Sequence, residues 1–339
     1  MAGLERGVGR EVKRGVERGA KRGAERGAER GTEHGTGSVT QRERVMLHVT
    51  HGERVVDAAS STTKLGLLRY FQGAAAWLLP QLQGRAVSLL RAPGGVGQTA
   101  FFQKHAGQAA IPHIHVLDPA LWPGRAALLE IDDEAALLGA AQMNVVEFHT
   151  WGSRLRRIGH PDRMVFDLDP GAGVGWPAIC SSALQVRDLL QRLGLHSWLK
   201  TSGGKGLHVV VPLAPRYGFA HVKAFAKGVA LQLEREAPGC FVSTSGPTNR
   251  VGRIFVDYLR NGEGATTVAA YSPRARPGLG VSMPVDWADL PRTDGAAHWH
   301  VGNTLAHLAR RRQDPWADLD GTRQPLGAAL KQLKALQAG

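Results

Sequence analysis

Cysteine is scarce in this 339-residue chain, which has only Cys180 and Cys240. No CxxC pair or cysteine–histidine cluster has zinc-site spacing, which excludes the zinc-finger classes. Two lone cysteines are most simply reduced, buried thiols of a cytosolic protein. No stretch approaches the roughly 18 apolar residues of a membrane helix, and the first residues lack the apolar core of a signal peptide. These absences predict a cytoplasmic protein with no membrane partner.

Acidic residues are also few, because the chain has 29 Asp and Glu against 42 Lys and Arg, which gives a formal net charge of +13. Residues 1–44 contribute +4 and the remaining 295 residues contribute +9, so the excess belongs mainly to the folded region. A basic folded domain usually binds a polyanion, and nucleic acid is the first candidate. The alternative is a basic protein without such a partner, because net charge does not specify a fold.

The first 40 residues form a repetitive segment. Glycine recurs at every fourth position from 15 to 35, mostly after a charged pair. Regular glycine opposes a helix, and no apolar residue recurs that a core could bury. We predict a disordered Gly/Arg/Glu-rich linker or tail over residues 1–40. Nonspecific DNA binding by this segment is the alternative, although its glutamates nearly cancel its arginines.

From about residue 41, predicted strands alternate with predicted helices. The strands are expected at residues 45–49, 86–90, 99–103, 145–149, 164–169, 197–201, 207–212, 253–257 and 267–270. The helices are expected at residues 62–79, where two threonines form the cap, and at 176–193, 219–236 and 301–311. This alternation, with some hairpins, predicts an α/β (α+β) domain around one mixed central sheet flanked by helices. We assign residues 41–295 to a catalytic domain and 296–339 to a C-terminal helical segment that packs on it.

Three aspartates stand at the polar ends of hydrophobic runs, Asp167 and Asp169 in FDLDPG and Asp257 in RIFVD. Because a strand alternates faces, Asp167 and Asp169 point the same way. Neighbouring carboxylates repel each other unless a cation lies between them, and hard oxygen ligands suit Mg²⁺ or Mn²⁺. Two such ions are a standard device for in-line phosphoryl transfer. Pro170-Gly171 ends the strand, and we expect this to place the pair at a sheet edge open to a ligand.

A glycine-rich loop lies in KTSGGKGLH, residues 200–208. Its three glycines permit a tight turn that brings N–H groups close to phosphate oxygens, and Ser202, Lys205 and His208 add polar side chains. It is not a Walker A loop, because Gly206 follows the lysine where that motif has Ser or Thr. The alternative is a hairpin loop whose glycines serve turn geometry alone.

Other side chains become candidates through their neighbours. His149 ends a strand, where it is either a structural histidine or a group that contacts a metal or phosphates. Arg250 and Arg274 are candidates to neutralise a triphosphate, because guanidinium pairs bidentately with phosphate, or else they are solvated surface arginines. Of Phe101 and Phe102, strand alternation predicts one in the core and one facing outward, where it can stack on a base.

In their order, these motifs resemble the polymerase domain of bacterial DNA ligase D, a branch of the archaeo-eukaryotic primase superfamily. The resemblance runs from about residue 45 to about residue 290. It rests on FDLDPG, SGGKGLHVVVPL, IFVDYLRN and AYSPRARPG, with RAPGGVGQTAFFQKH and VVEFHTWGSR upstream. It implies an archaeo-eukaryotic primase-like fold and makes residues 41–295 a primase-polymerase catalytic domain.

The resemblance also implies a role for each matching residue. Two divalent ions, Mn²⁺ or Mg²⁺, would bind Asp167, Asp169 and Asp257, with His149 at the floor of the active site. The incoming NTP or dNTP would contact Ser202, Lys205, Gly206, His208, Arg250 and Arg274, the two arginines through its phosphates. Arg54 and Lys64 would hold a 5′-phosphate at a gap or break, and Phe101 and Phe102 would stack on DNA near the template.

The function implied by the resemblance is template-dependent addition of nucleotides to a primer 3′-hydroxyl, in DNA repair by nonhomologous end joining. It implies the end-binding protein Ku and ligase and phosphoesterase modules, in cis or in trans, as partners in a nucleoid-associated setting. No KxDG motif is present, so we expect no ligase activity from this chain alone. One alternative is a metal-dependent nuclease, against which the glycine loop argues. Another is a catalytically weak DNA-end-binding module that recruits Ku or a ligase, against which the intact carboxylates argue.

Overall fold

The structure is a computed structural model that describes residues 49–107, 110–311 and 313–338. The predicted tail over 1–40 and nearly all of the predicted strand at 45–49 lie outside the described residues. No helix in the described ranges is long and apolar enough to cross a membrane.

The described residues form fourteen strands and six α-helices. In chain order the strands are β1 (Val55–Asp57), β2 (Thr62–Thr63), β3 (Val87–Arg91), β4 (Phe101–Gln103), β5 (His115–Val116), β6 (Leu129–Glu130), β7 (Val145–Trp151), β8 (Arg163–Pro170), β9 (Trp198–Thr201), β10 (Leu207–Pro212), β11 (Phe241–Val242), β12 (Ile254–Asp257), β13 (Thr266–Val268) and β14 (Pro284–Val285). The helices are α1 (Lys64–Leu82), α2 (Glu134–Gln142), α3 (Trp176–Arg192), α4 (Phe219–Glu236), α5 (Val301–Arg310) and α6 (Gly327–Ala338).

Two six-stranded sheets contain all of these strands except β1 and β2, which pair with each other. The first sheet has the order β11-β12-β8-β10-β9-β14, with β11 and β12 parallel and the other pairs antiparallel. The second has the order β13-β7-β3-β6-β5, and β4 pairs with β3 outside that path. The predicted α/β class is confirmed, but the expectation of a single mixed sheet is wrong. Local alternation of apolar residues finds strands without indicating which of them pair.

Strand β8 shows how the sequence pattern sets the two faces of the first sheet. Phe166 and Leu168 are fully buried, whereas Asp167 and Asp169 project to the opposite face and remain partly accessible. Helices α3 and α4 both pack against this strand. The apolar positions of β8 therefore anchor the strand and leave its acidic positions on the other face.

Helix boundaries follow from caps that the sequence contains. The Thr63 side chain accepts the Gly66 N–H at 3.1 Å, so α1 begins where the paired threonines predict. The sequence pattern did not predict α2, although Asp133 accepts the Ala136 N–H at 2.7 Å as its N-cap. This helix is short and apolar, so its periodicity is weak and the cap is its main sequence signal.

The C-terminal segment packs on the same body. The Trp316 indole donates to the Leu199 carbonyl in β9 at 3.0 Å, and α6 contacts α4. The two thiols are not both buried as expected, because Cys180 is only partly covered and Cys240 is exposed.

Candidate active site

A row of polar side chains crosses four strands of the first sheet. The register pairs Asp167 of β8 with Asp257 of β12 on one side and with His208 of β10 on the other, and it pairs His208 with Lys200 of β9. Directly opposed residues in antiparallel strands point to the same face. Asp169 joins the row from two positions further along β8, so all three predicted acids lie on one face.

The three aspartates form an acidic triad. One carboxylate oxygen from each of Asp167, Asp169 and Asp257 lies within 4.8 Å of the others. The expectation of a sheet edge is wrong, because β8 lies between β12 and β10. The carboxylates instead lie on the sheet face near the end of an inner strand, at Pro170. Because β8 is hydrogen-bonded to β12 on one side and to β10 on the other, the backbone that carries Asp167 and Asp169 is held in place.

The pKa values of the three carboxylates of the triad are shifted in different directions. Burial and the charge of Asp167 raise the pKa of Asp169, and burial raises that of Asp257 although Arg260 opposes the shift. Burial alone would also raise the pKa of Asp167, but its interaction with His208 and the charge of Arg260 hold it below its usual range. The triad thus combines one firmly ionised carboxylate with two whose charge is disfavoured, and a bound cation relieves that conflict.

Two arginines neutralise part of this charge. Arg250 Nη1 lies 3.1 Å from Asp169 Oδ2. Arg260 Nε lies 3.0 Å from Asp257 Oδ2 and 3.7 Å from Asp167 Oδ2. Sequence reasoning named Arg250 but missed Arg260, whose only signal was its position three residues after the strand-ending aspartate. Both guanidinium groups therefore lie directly against the triad.

Lys200 is a second residue that sequence reasoning did not assign. It is only 2% exposed, and its Nζ donates to Ser282 Oγ at 2.6 Å. Burial lowers its pKa well below the ordinary value of 10.5, while Asp167 acts in the opposite direction. His208, the next residue in the row, has Nε2 3.3 Å from Asp167 Oδ1, and burial lowers its pKa to about 4. The imidazole is therefore neutral at physiological pH.

The predicted glycine loop adjoins the triad. Ser202 Oγ accepts the N–H groups of Gly204 and Gly206, each at 3.1 Å, so these two donors are directed at the serine rather than at open space. Gly203 has φ of +66°, and a Cβ at Gly206 would lie 1.9 Å from the Leu168 carbonyl oxygen. Turn geometry and close packing thus account for these glycines, and the exposed Lys205 is the cation that the loop presents to solvent.

Glu147 of β7 joins the second sheet to this loop and was not predicted. Its carboxylate accepts His149 Nε2 at 2.7 Å, Arg274 Nε at 2.9 Å and the Ala275 N–H at 2.8 Å. Burial would raise the pKa of Glu147, but these partners lower it to about 2. Arg274 also donates to the Ser202 carbonyl at 2.9 Å. Two predicted residues, His149 and Arg274, are thereby held by one buried carboxylate.

A cavity of about 330 Å³ opens beside the triad. Its wall includes Phe102, Lys104, His149, Asp167, His208, Arg260 and Arg274. Among the described residues, the cluster that could hold a metal consists of the three aspartates alone. His149 lies on the cavity wall and is not part of that cluster.

Both adjacent phenylalanines are exposed, Phe101 by 45% and Phe102 by 49%. The expected core position for one of them is wrong, because among the described strands β4 pairs with β3 alone, outside the main path of the second sheet. Phe101 lies under the Arg91 guanidinium at 5.4 Å, and the Phe102 ring meets the His149 ring edge-on at 5.1 Å. Phe102 therefore lies at the mouth of the cavity.

The two predicted 5′-phosphate ligands are neighbours in the structure. Arg54 donates through its guanidinium to Asn144 Oδ1 and to the Pro93 carbonyl, and its own carbonyl accepts the Lys64 N–H at 2.8 Å. Lys64 Nζ donates to the Thr50 carbonyl at 2.9 Å. Burial and the nearby Arg54 charge lower the pKa of Lys64.

An acidic triad next to a cavity lined by cationic side chains, on one face of a mixed sheet, is the arrangement that two-metal phosphoryl-transfer enzymes use. A family model described as "LigD, primase-polymerase domain" matches residues 63–316, and the chain belongs to that family.

Individual relatives agree with this assignment. The chain is 46% identical over 287 residues to the "Multifunctional non-homologous end joining protein LigD" of Pseudomonas aeruginosa, covering 84% of this chain and 34% of the relative. It is 36% identical over 262 residues to a LigD protein of Mycobacterium tuberculosis, covering 75% of this chain and 34% of that protein. The chain thus spans about a third of the length of these relatives.

A solved structure is also similar. It is the "Polymerase Domain from Mycobacterium tuberculosis Ligase D in complex with DNA", which superposes with a TM-score of 0.73 at 32% identity. The match covers 82% of this chain and 99% of that one. The primase-like fold predicted from the motifs is therefore confirmed.

Proposed function

We propose that this chain extends primer 3′-hydroxyls at gaps and breaks in DNA by template-dependent addition of NTPs or dNTPs. The observation that carries the proposal is the convergence of three carboxylates within 4.8 Å beside a cavity lined by cationic side chains. Nucleotidyl transfer needs both features, because its transition state concentrates negative charge on the transferred phosphoryl group. The similarity to a polymerase domain solved with DNA supports DNA as the partner.

The donor set fits a pair of Mg²⁺ or Mn²⁺ ions held by Asp167, Asp169 and Asp257. All three donors are hard carboxylate oxygens, and burial disfavours the charge on two of them until a cation arrives. Ions bound there would lower the pKa of the primer hydroxyl and offset charge on the departing pyrophosphate.

The side chains around the triad would bind and orient the nucleotide. Lys205 is exposed and forms no ion pair within the described part of the chain, so its ammonium is available to a phosphate. Arg274 is already oriented by Glu147, which reduces the entropy lost when it binds a phosphate. Arg250 would transfer its contact from Asp169 to the triphosphate. Ser202, Gly206 and His208 would contribute by fixing the loop and the adjoining strand.

Contacts with DNA would involve two pairs of side chains. Phe101 and Phe102 offer exposed rings on which bases can stack. Arg54 and Lys64 form a local pair of positive charges suited to a 5′-phosphate. Ku and the ligase and phosphoesterase modules are the partners that we propose, in keeping with the end-joining names of the relatives.

The test is extension of a 5′-phosphorylated gapped duplex with each NTP or dNTP and with Mg²⁺ or Mn²⁺. We expect addition of nucleotides by the wild type and a loss of at least about 100-fold in Asp167→Ala and Asp257→Ala. Asp188→Ala, at an exposed acid of α3, serves as the matched control. Undiminished synthesis in the triad variants would contradict the proposal. Strand shortening without nucleotides would indicate a nuclease, and end binding without addition under either metal would indicate an end-binding module.

A further inference from the structure

A second cationic surface lies at the other end of the first sheet. Two adjoining cavities of about 550 Å³ and 490 Å³ share Arg154, Arg156, Asp162 and Arg323 in their walls. We call their combined lining the arginine groove, whose basic members are Arg154, Arg156, Arg157, His160, Arg216 and Arg323. Three of these arginines lie close together in the sequence, at positions 154, 156 and 157, and the proposed nucleotidyl transfer does not use them.

The arginine groove is separate from the acidic triad. Strand β8 begins at Arg163, directly after Asp162 of the groove, and Pro212, the register partner of Arg163, lines one of the two cavities. From Arg163 the strand rises about 3.3 Å per residue, which places Asp167 about 13 Å and Asp169 about 20 Å away along β8. The groove and the triad therefore lie at different positions along the same strand.

The two acids of the groove are already neutralised by arginines beneath and beside them. Arg85 Nη1 pairs with Asp162 at 2.6 Å, and Arg163 Nη2 pairs with Asp320 at 2.7 Å. Arg154 contacts both acids, at 3.5 Å and 2.9 Å. Of the described lining residues, no further acidic group remains to balance the other arginines of the groove.

Four arginines of the groove are exposed and form no ion pair within the described ranges: Arg156, Arg157, Arg216 and Arg323. Arg157 is oriented by a hydrogen bond from Nη1 to the Pro215 carbonyl at 3.1 Å. Uncompensated like charges around one depression repel each other and attract an anion with several charges.

The lining favours phosphate over a protein ligand. All four free cations are guanidinium groups, which pair bidentately with phosphate. Among the described residues, no phenyl or indole ring lines either cavity, so these residues offer neither a base-stacking platform nor an aromatic anchor for a protein partner. Two of its leucines, Leu213 and Leu319, are buried. We propose that the arginine groove is a second nucleic-acid site, which binds the phosphodiester backbone without reading sequence.

The test compares the full chain with a variant in which Arg156, Arg157, Arg216 and Arg323 are replaced by alanine. The matched control removes four exposed cations outside both sites, Arg69, Arg292, Arg310 and Lys334. Affinity for a blunt 5′-hydroxyl duplex and for a single strand is measured by fluorescence anisotropy from 50 to 200 mM salt. The buffer contains EDTA and no nucleotide, so failure of the proposed polymerase function does not affect the result.

We expect the groove variant to lose at least about tenfold in affinity for nucleic acid. The slope of log affinity against log salt concentration should become less steep by about 0.9 per lost phosphate contact on a duplex and by about 0.7 on a single strand. This difference distinguishes the two backbones. The control should retain most of the wild-type slope. An unchanged slope in the groove variant would overturn the proposal. The proposal would also be overturned if the groove variant lost affinity for poly-glutamate but kept its affinity for nucleic acid. That result would assign the groove to an acidic protein segment.

A second measurement uses the wild type and does not depend on folding of the variant. Phenylglyoxal modifies accessible arginines, and mass spectrometry reads the extent at each position. Duplex DNA should protect the four groove arginines and leave Arg292, whose side chain is 83% exposed, as reactive as before. Equal modification of the groove with and without DNA would contradict a site there.

Discussion

Asp257 of β12 is the direct antiparallel partner of Asp167 of β8, so residues 90 positions apart in the chain present their carboxylates side by side. A slip of one residue in this pairing would turn Asp257 to the opposite face. The register between two short strands therefore determines whether the acidic triad exists.

Replacing Asp169 with asparagine should separate activity from stability. Because burial and Asp167 disfavour the charge of Asp169, the neutral isostere should raise the stability of the folded chain without divalent cations. Nucleotide addition should fall by at least about 100-fold, since one of the three carboxylates proposed to hold the metal ions is lost. Thermal melting in EDTA and primer extension test the two parts. A variant that loses both stability and activity would count against this interpretation, and Asp188→Asn should change neither.

Divalent cations should stabilise the folded chain through the triad. A ligand that binds only the folded state at a hundredfold excess over its Kd contributes about 2.7 kcal/mol. Mn²⁺ should therefore raise the Tm of the wild type, EDTA should reverse the shift, and Asp257→Asn should largely abolish it. Differential scanning calorimetry at several Mn²⁺ concentrations provides the measurement. An equal shift in Asp257→Asn would assign the ion to another site.

Glu147 should make stability depend on pH in the acid range. Its pKa is about 2 in the folded chain against an ordinary value of 4.5, so the ionised carboxylate favours the folded state. This contribution is complete above pH 4.5 and is lost as the pH falls toward 2, with an upper bound of about 3 kcal/mol. The stability gap between wild type and Glu147→Gln should therefore narrow across that window. Urea unfolding from pH 6 to pH 2.5 measures the gap, and a gap independent of pH would refute the assignment.

The sequence predicted the convergence of the three aspartates better than it predicted the sheets. Apolar alternation located β8, β10 and β12, and the polar ends of two of them identified the triad. Period-two patterns are local, so they revealed neither the division into two sheets nor the inner position of β8. The exposure of both Phe101 and Phe102 also depends on the position of β4, which no local pattern encodes.

The residues missed at the site are those that act through other residues. Glu147 and Lys200 lie within strands that read as ordinary buried segments, and their partners come from distant parts of the chain. Arg260 lies in a short turn where charged residues are common. Their importance arises from burial and pairing in three dimensions, neither of which sequence spacing reveals.

Lys205 and Arg274 should respond differently to truncation. Lys205→Ala removes an exposed ammonium, so the Michaelis constant for nucleotide should rise about tenfold while stability changes by less than about 0.5 kcal/mol. Arg274→Ala leaves the Glu147 carboxylate buried with fewer partners, which should cost about 3 to 5 kcal/mol of folding stability. Steady-state kinetics and urea unfolding on both variants make the comparison. Similar stability losses in the two variants would contradict the distinction.

Gly206 should be intolerant of a side chain because of the triad next to it. An added Cβ would lie 1.9 Å from the carbonyl oxygen of Leu168, the residue between the two aspartates of β8. Relief of that overlap must displace β8 or the loop, at a cost of about 1 to 3 kcal/mol. Because catalysis depends on sub-ångström placement, nucleotide addition by Gly206→Ala should fall by about 100-fold or more.

The matched control for Gly206→Ala is Gly239→Ala, where no atom lies within 4 Å of the added Cβ. That variant should keep wild-type activity and melt within a few degrees of the wild type. Primer extension together with thermal melting compares the pair. Full activity of Gly206→Ala would mean that β8 and the loop can move apart without displacing the triad. It would disprove the inference that contact between the glycine loop and β8 holds Asp167 and Asp169 in place.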